Sequence, residues 1–209
     1  MAENTHRAPA DVSTPTPEEL GNLAKLSFHD SKGNSIDFGS IIRDQKTIVV
    51  FIRCHFFCGS CQQYVMQLAG VSQESLQQAG VHLVVIGCGD WQPIQNYCET
   101  TGYKGEMYAD PSRALYKALG LVESLEVTPA GQQRKSYLTK SILSNALQSI
   151  WQGPLKNPSH IGKQGKLSQL GGDFVFGPGE TCSFASRMHH TEDHIEVADL
   201  MRAAGVNHP

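Results

Sequence analysis

Two stretches of the chain are apolar at nearly every position: "TIVVFIR" (47–53) and "VHLVVIG" (81–87). Uninterrupted runs of this length predict strands buried on both faces, the pattern of central strands in a parallel sheet. Between them, Cys61, Val65, Leu68 and later Leu76 and Ala79 recur at helical spacing, which predicts a βαβ unit. Gly70 and Ser72 interrupt that pattern and predict a kink or restart. Upstream, "KLSFHDSKGNSIDFGSII" alternates apolar and polar residues around Lys32-Gly33-Asn34, as a β-hairpin at a sheet edge does. Downstream, "WQPIQNYCETTG" and "PSRALYKALG" read as short helices closed by glycine, with "EMYAD" as a strand between them. Leu143, Leu147, Ile150 and Trp151 give one apolar side to a further helix. A long loop follows, then "DFVF" and "CSFAS" as antiparallel strands around Gly177-Pro178-Gly179-Glu180, and "HIEVADLMRAAGV" as a closing helix.

This order of elements is that of an α/β, thioredoxin-like fold: a central mixed sheet flanked by helices, with an N-terminal β-hairpin extension. Residues 1–16, polar and carrying Pro9 and Pro15, are expected to form a disordered tail, with Thr16 capping the first helix. Residues 17–209 then form a single domain. At 209 residues and 40% hydrophobic content, such a domain buries a normal core without disulfide staples.

Six cysteines, unevenly placed at 54, 58, 61, 88, 98 and 182, do not make a secreted disulfide framework and favour a reducing compartment. The N-terminus lacks the pattern of a secretion signal, and no window holds 18 uninterrupted apolar residues. The expected location is cytoplasmic. A net charge of -3 and a pI near 6.3 offer no broad basic face, which argues against nucleic acid and membrane and leaves small molecules and proteins as partners.

Cys58 and Cys61 form Cys-Gly-Ser-Cys between the first buried strand and the following helix. At a first helical turn, residues three apart share a face, and the free N–H groups there favour a thiolate. Cys58 is the expected nucleophile, and Cys61, one turn inward, the thiol that resolves its oxidised or mixed-disulfide form. Arg53 and His55 are the cations placed to lower the Cys58 pKa, and Cys54 is a further thiol facing the same pocket. A zinc site would need two more ligands, and no second CxxC or HxxxH pair supplies them, so no metal is expected. Cys88, Cys98 and Cys182 read as packing residues. His189, His190 and His194 sit among Glu192 and Asp193, a context that reads as a solvated loop. The loop 152–172 carries Lys156, Lys163, Lys166 and His160 and no acid. Two readings follow: a lid in which Lys163 and Lys166 bind an anionic substrate against Trp151, or a solvated connection.

The segments "VVFIRCHFFCGSCQQYV", "LVVIGCGDWQPIQNYCETTGYKGEMYADPSRALYKALG", "SNALQSIWQGPL" and "GGDFVFGPG" resemble the peroxiredoxin-like 2 family, an AhpC/TSA-type antioxidant domain, and look closest to its C branch. The resemblance spans roughly residues 22–205. It implies a thioredoxin-like fold, a redox-active CxxC at Cys58 and Cys61, and thiol-dependent reduction of peroxides or, in one branch, of a prostaglandin endoperoxide. Two features depart from related proteins. Counted back from Cys61, the Pro and Thr positions of a PxxxTxxC motif hold Cys54 and Cys58, and Gly171 and Gly172 stand where thioredoxins carry a cis-proline. The leading expectation is a thiol oxidoreductase with no bound cofactor, a small-molecule substrate and an external reductant such as thioredoxin or glutathione. The alternatives are a dedicated biosynthetic enzyme using the same thiols and a non-enzymatic redox-sensing protein. A homodimer is compatible with each.

Overall fold

The computed structural model describes residues 12–53, 58–139 and 158–208. The two apolar runs form β3 (Lys46–Ile52) and β4 (Val81–Gly87), paired in parallel from Lys46↔Val81 to Ile52↔Gly87. The intervening helix breaks where Gly70 and Ser72 interrupt its pattern: α3 (Gly59–Ala69) ends at Gly70, and α4 (Gln73–Gln78) starts from the Ser72 side chain, which accepts from the Ser75 N–H. β5 (Glu106–Ala109) extends the sheet parallel to β4, after α5 (Ile94–Thr101), which Gly102 closes at φ 73°. The predicted hairpin is β1 (Ser27–His29) and β2 (Ser35–Asp37), and it does lie at the sheet edge. On the other side, β6 (Gly172–Phe176) runs antiparallel to β3, and β7 (Cys182–Arg187) antiparallel to β6. The seven-stranded order is β2-β1-β5-β4-β3-β6-β7.

Because side chains alternate across a strand, the sheet supports two cores. Ile48, Val50, Ile52, Leu83, Val85 and Val175 face α3, α5 and α7 (Val197–Ala204). Val49, Phe51, Val84, Ile86, Phe174 and Phe176 face α1 (Pro17–Leu23), α2 (Gly39–Ile42) and α6 (Ala114–Ala118). Tyr116 of α6 reaches through the second core so that its hydroxyl lies 2.6 and 2.8 Å from the carbonyls of Ile52 and Ile86. This holds together the carboxyl ends of β3 and β4, from which the Cys-Gly-Ser-Cys segment departs.

Residues 13–16, read from sequence as part of the tail, make defined contacts. Thr16 and Glu19 form a reciprocal capping box on α1, Pro15 is buried, and the Ser13 carbonyl accepts from Arg187 Nη1 at 2.8 Å. Arg187, projecting from β7, is the partner that fixes this backbone. The predicted helix around Leu143–Trp151 lies outside the described residues, and no described helix is long and apolar enough to cross a membrane.

Gly171 separates the long connection from β6 and lies against β3 so closely that a Cβ there would sit 1.8 Å from the Phe51 carbonyl oxygen. Gly171→Ala is therefore expected to destabilise the protein by about 3 kcal/mol, because backbone rather than a side chain must give way. Gly21→Ala is the control: the site is helical and open, and the change should be neutral or stabilising by about 0.5–1 kcal/mol. Denaturant unfolding of the two variants measures both, and equal midpoints would remove the close approach as a constraint.

Candidate active site

Cys58 occupies the N-cap of α3 in extended conformation (φ -102°, ψ 93°), and its sulfur accepts from the Cys61 N–H at 3.4 Å. Where a helix usually takes an oxygen from Ser, Thr or Asp, this one takes a sulfur, so the unpaired N–H at the helix start acts on the thiol directly. The Cys61 thiol donates to the same sulfur at 2.8 Å. Arg53, leaving β3, brings Nη1 to 3.4 Å, and the Ser60 hydroxyl lies at 3.1 Å. Cys58 is 5% and Cys61 1% exposed, so both thiols are buried. The Cys61 thiol is the strongest influence, and together with the Arg53 charge, Ser60 and the Cys61 N–H it overcomes the opposing effect of burial. The Cys58 pKa falls to about 5.

Cys88, Cys98 and Cys182 show the contrast. Burial pushes Cys88 up to about 12 and Cys182 up to about 11, and it raises Cys98 as well. Cys88 donates to the Arg53 carbonyl, so it supports the active-site strand end without offering a thiolate. Among the described residues no group of His, Cys, Asp and Glu is arranged to hold a metal.

Arg53 is itself held in place. Its Nη2 donates to the Leu167 carbonyl at 2.5 Å, from the long connection that precedes β6. That connection is strapped to the body of the protein: Asp90 N–H donates to the Lys163 carbonyl (2.8 Å), Ser124 N–H to Ser168 (2.7 Å) and Leu170 N–H to Val122 (3.0 Å). Gly165 fits under it because a Cβ would meet the Cys88 carbonyl at 2.4 Å. Lys166 is not a bare cation, since its Nζ lies 2.5 Å from Glu123, which also takes Arg113 at 2.6 Å. These two cations hold the Glu123 carboxyl down at about 2. Lys163 is half-buried beside His160. Cys54, His55 and Trp151 lie outside the described residues.

The histidine-rich segment departs from expectation. His190, Thr191, Glu192, Asp193 and His194 are all buried rather than solvated. Their charges are met by residues distant in sequence: Arg134 pairs with Glu192 (3.6 Å), Lys135 with Asp193 (4.0 Å), Thr128 donates to Glu192 (2.6 Å), and His194 meets Asp173 (3.0 Å). The segment also reaches the thiols, because Ser60 Oγ donates to the Thr191 carbonyl at 3.2 Å. Sequence reading missed the contacts that Ser60 and Thr191 bring to the thiols and the buried pairing of Asp173 with His194. The one available signal was Asp173, an acid inside the apolar run "GGDFVF".

Comparison with known proteins gives a consistent result. The family described as AhpC/TSA antioxidant enzyme matches residues 67–190. The human protein peroxiredoxin-like 2C is 35% identical, the alignment covering 96% of this chain and 89% of the relative. Human prostamide/prostaglandin F synthase is 30% identical, over 72% of this chain and 70% of its own length. Among solved structures, the bacterioferritin comigratory protein of Xanthomonas campestris, described for alkyl peroxide reduction, superposes with a TM-score of 0.58 at 10% identity, over 94% of this chain and 95% of that one. The last likeness concerns the fold. The family match begins beyond both cysteines, so the case for the CxxC rests on the site geometry.

Arg53 is the one full charge within contact of the Cys58 sulfur among the described residues. Arg53→Met should therefore raise the midpoint of Cys58 alkylation by about one pH unit or more, and Ser60→Ala by less. Iodoacetamide labelling against pH, read by mass spectrometry of the Cys58 peptide, measures both. An unmoved midpoint in Arg53→Met would remove that charge from the account.

Proposed function

The chain belongs to the AhpC/TSA antioxidant-enzyme family, and from that premise we propose that it is a thiol oxidoreductase that reduces an organic peroxide through Cys58 and Cys61. The observation that carries this reading is the Cys58 sulfur itself, buried, capped by a helix start and held near a pKa of 5 by the Cys61 thiol and Arg53. The Cys58 thiolate attacks the O–O bond of ROOH. One oxygen transfers to sulfur as a sulfenic acid, and the other leaves as ROH after taking a proton. Cys61 then attacks the sulfenic sulfur, closing the disulfide and releasing water. Two equivalents of an external thiol, from thioredoxin or glutathione, return both cysteines to the reduced state and are themselves oxidised to a disulfide.

An organic peroxide is favoured over hydrogen peroxide by exposed apolar side chains on segments whose backbone is hydrogen-bonded to Arg53 and Thr191. Leu167, whose carbonyl holds Arg53, is 48% exposed, and Leu125 and Val127, flanking the Glu126 carbonyl that accepts from the Thr191 N–H, are 66% and 50% exposed. An apolar body has surface to rest on while the peroxide end enters. A second reading, a redox-sensing latch, draws on the 5% exposure of Cys58, which restricts access to the sulfur.

Coupled turnover with cumene hydroperoxide and a thioredoxin or glutathione system separates the two. The enzyme reading expects sustained consumption, faster than with hydrogen peroxide, which Cys58→Ser abolishes. Cys61→Ser should still undergo the first oxidation but fail to form the disulfide. A single stoichiometric oxidation of the native protein, with neither reductant restoring turnover, would instead support the latch.

A further inference from the structure

The carbonyl that holds Arg53 sits on a turn. The Gln169 N–H donates to the Lys166 carbonyl at 3.1 Å, which makes Leu167 and Ser168 the central residues of a four-residue turn. Such a turn uses the carbonyl of its first residue internally, so the Leu167 carbonyl is left to face outward. It accepts from Arg53 Nη2 at 2.5 Å. The other terminal nitrogen of the same guanidinium, Nη1, lies 3.4 Å from the Cys58 sulfur. The group is planar and its donors diverge at fixed angles, so the position of the Leu167 carbonyl constrains where Nη1 points. Cys88 links the base of the turn to the same arginine: its thiol donates to the Arg53 carbonyl and lies 3.8 Å from the Lys166 carbonyl.

What anchors the turn is a buried amide. Gln169 is 1% exposed. Its Nε2 lies 3.0 Å from the Leu121 carbonyl, 3.1 Å from that of Leu170 and 3.3 Å from that of Val122, and its Oε1 accepts from Arg113 Nη1 at 3.3 Å. Three acceptors on one side and a cation on the other fix which way the amide points. The last residue of the turn is thereby pinned to the 121–123 segment, where Glu123 and Gln169 face one another as an antiparallel bridge. Glu123 reinforces the anchor from the solvent side. Its carboxylate takes Lys166 Nζ at 2.5 Å and Ser168 Oγ at 3.2 Å, the two residues that flank Leu167. Exposed ion pairs contribute little singly, so the buried amide is the stronger of the two anchors.

We propose that Gln169, with Glu123 in support, is a positioning residue for Cys58: it holds the 166–169 turn against 121–123 so that the Leu167 carbonyl keeps the Arg53 guanidinium on the sulfur. The effect of both residues on the thiol passes through Arg53. Loosening the turn lets the guanidinium swing away, the thiolate loses its cation, and Cys58 becomes less reactive at mildly acid and neutral pH while the fold stays intact. The charges around the turn are Arg113, Lys166 and Glu123, and the charge at the sulfur is Arg53. That Cys58 is the nucleophile rests on the functional reading, but the positioning does not depend on which substrate it attacks.

Iodoacetamide alkylation of the reduced protein against pH, read on the Cys58 peptide, tests this without peroxide. Gln169→Met removes the polar contacts of the side chain at similar length and adds no charge. It should raise the midpoint of Cys58 alkylation by about half a pH unit or more, slowing labelling below the midpoint by about threefold or more, and leave the limiting rate at high pH within about twofold. In an Arg53→Met background the same change should move the midpoint by less than about 0.2 pH unit, because the effect passes through the arginine. Glu123→Ala changes a side chain that is 39% exposed, and it should shift the midpoint upward by a smaller amount. Loss of a negative charge would by itself lower the midpoint, so the sign separates positioning from simple electrostatics. An unmoved midpoint in either folded variant, a lowered one in Glu123→Ala, or a Gln169→Met shift that persists without Arg53 would overturn the proposal. If Gln169→Met does not fold, the sign of the Glu123→Ala shift decides. Peroxide turnover is read separately: its absence in the native protein, with the midpoints shifted as expected, would remove the peroxidase reading and leave the positioning role standing.

Discussion

The Cys58 sulfur carries charge in a place where charge is costly, and the surrounding structure is arranged around that cost. Burial alone would raise its pKa, as it does for Cys88 and Cys182. The Arg53 charge and two donors, the Cys61 thiol and the Cys61 N–H, reverse the sign, with the Ser60 hydroxyl also in contact with the sulfur. Each depends on a different element. The N–H comes from α3 being capped by sulfur, Arg53 from the end of β3, and Ser60 from a helical turn tied to the Thr191 carbonyl.

That dependence explains features of the fold with no obvious role in packing. Tyr116 secures the ends of β3 and β4 from the opposite core, which fixes the point at which Arg53 leaves the sheet. The connection before β6 supplies the Leu167 carbonyl that aims the guanidinium, and it is in turn fastened through Asp90, Val122 and Ser124. The Lys166–Glu123–Arg113 cluster sits on the same strap. A segment that reads from sequence as a lid or a solvated loop is, from residue 158 onward, a brace for Arg53. Strand register places the buried acid of β6 on the sheet face whose core includes Cys61.

The fold was legible because its signals are local and periodic. Continuous apolar runs marked β3 and β4, the Gly70–Ser72 interruption marked the break between α3 and α4, and glycines marked the ends of α5 and α6. The thiol pair was legible because a CxxC at a strand–helix junction depends on spacing alone. What sequence did not give are interactions between distant positions. "MHHTEDH" looks solvated until Arg134, Lys135, Thr128 and Asp173 are brought to it from elsewhere in the chain. Lys166 of the long loop looks unopposed until Glu123 arrives from another segment. Asp173 was visible as an anomaly in an apolar strand, but its partner His194 lies 21 positions away, and no periodicity links them.

The account stands or falls on the charge state of one sulfur. Ultraviolet titration of thiolate absorbance in the reduced protein, with Cys58→Ser subtracted as the reference, reads it directly. The structure predicts a step assigned to Cys58 near pH 5, well below those of Cys88 and Cys182. A Cys58 step at the free-cysteine value of about 8.5 or higher would mean that burial prevails over the surrounding donors, and the active-site assignment would fail with it.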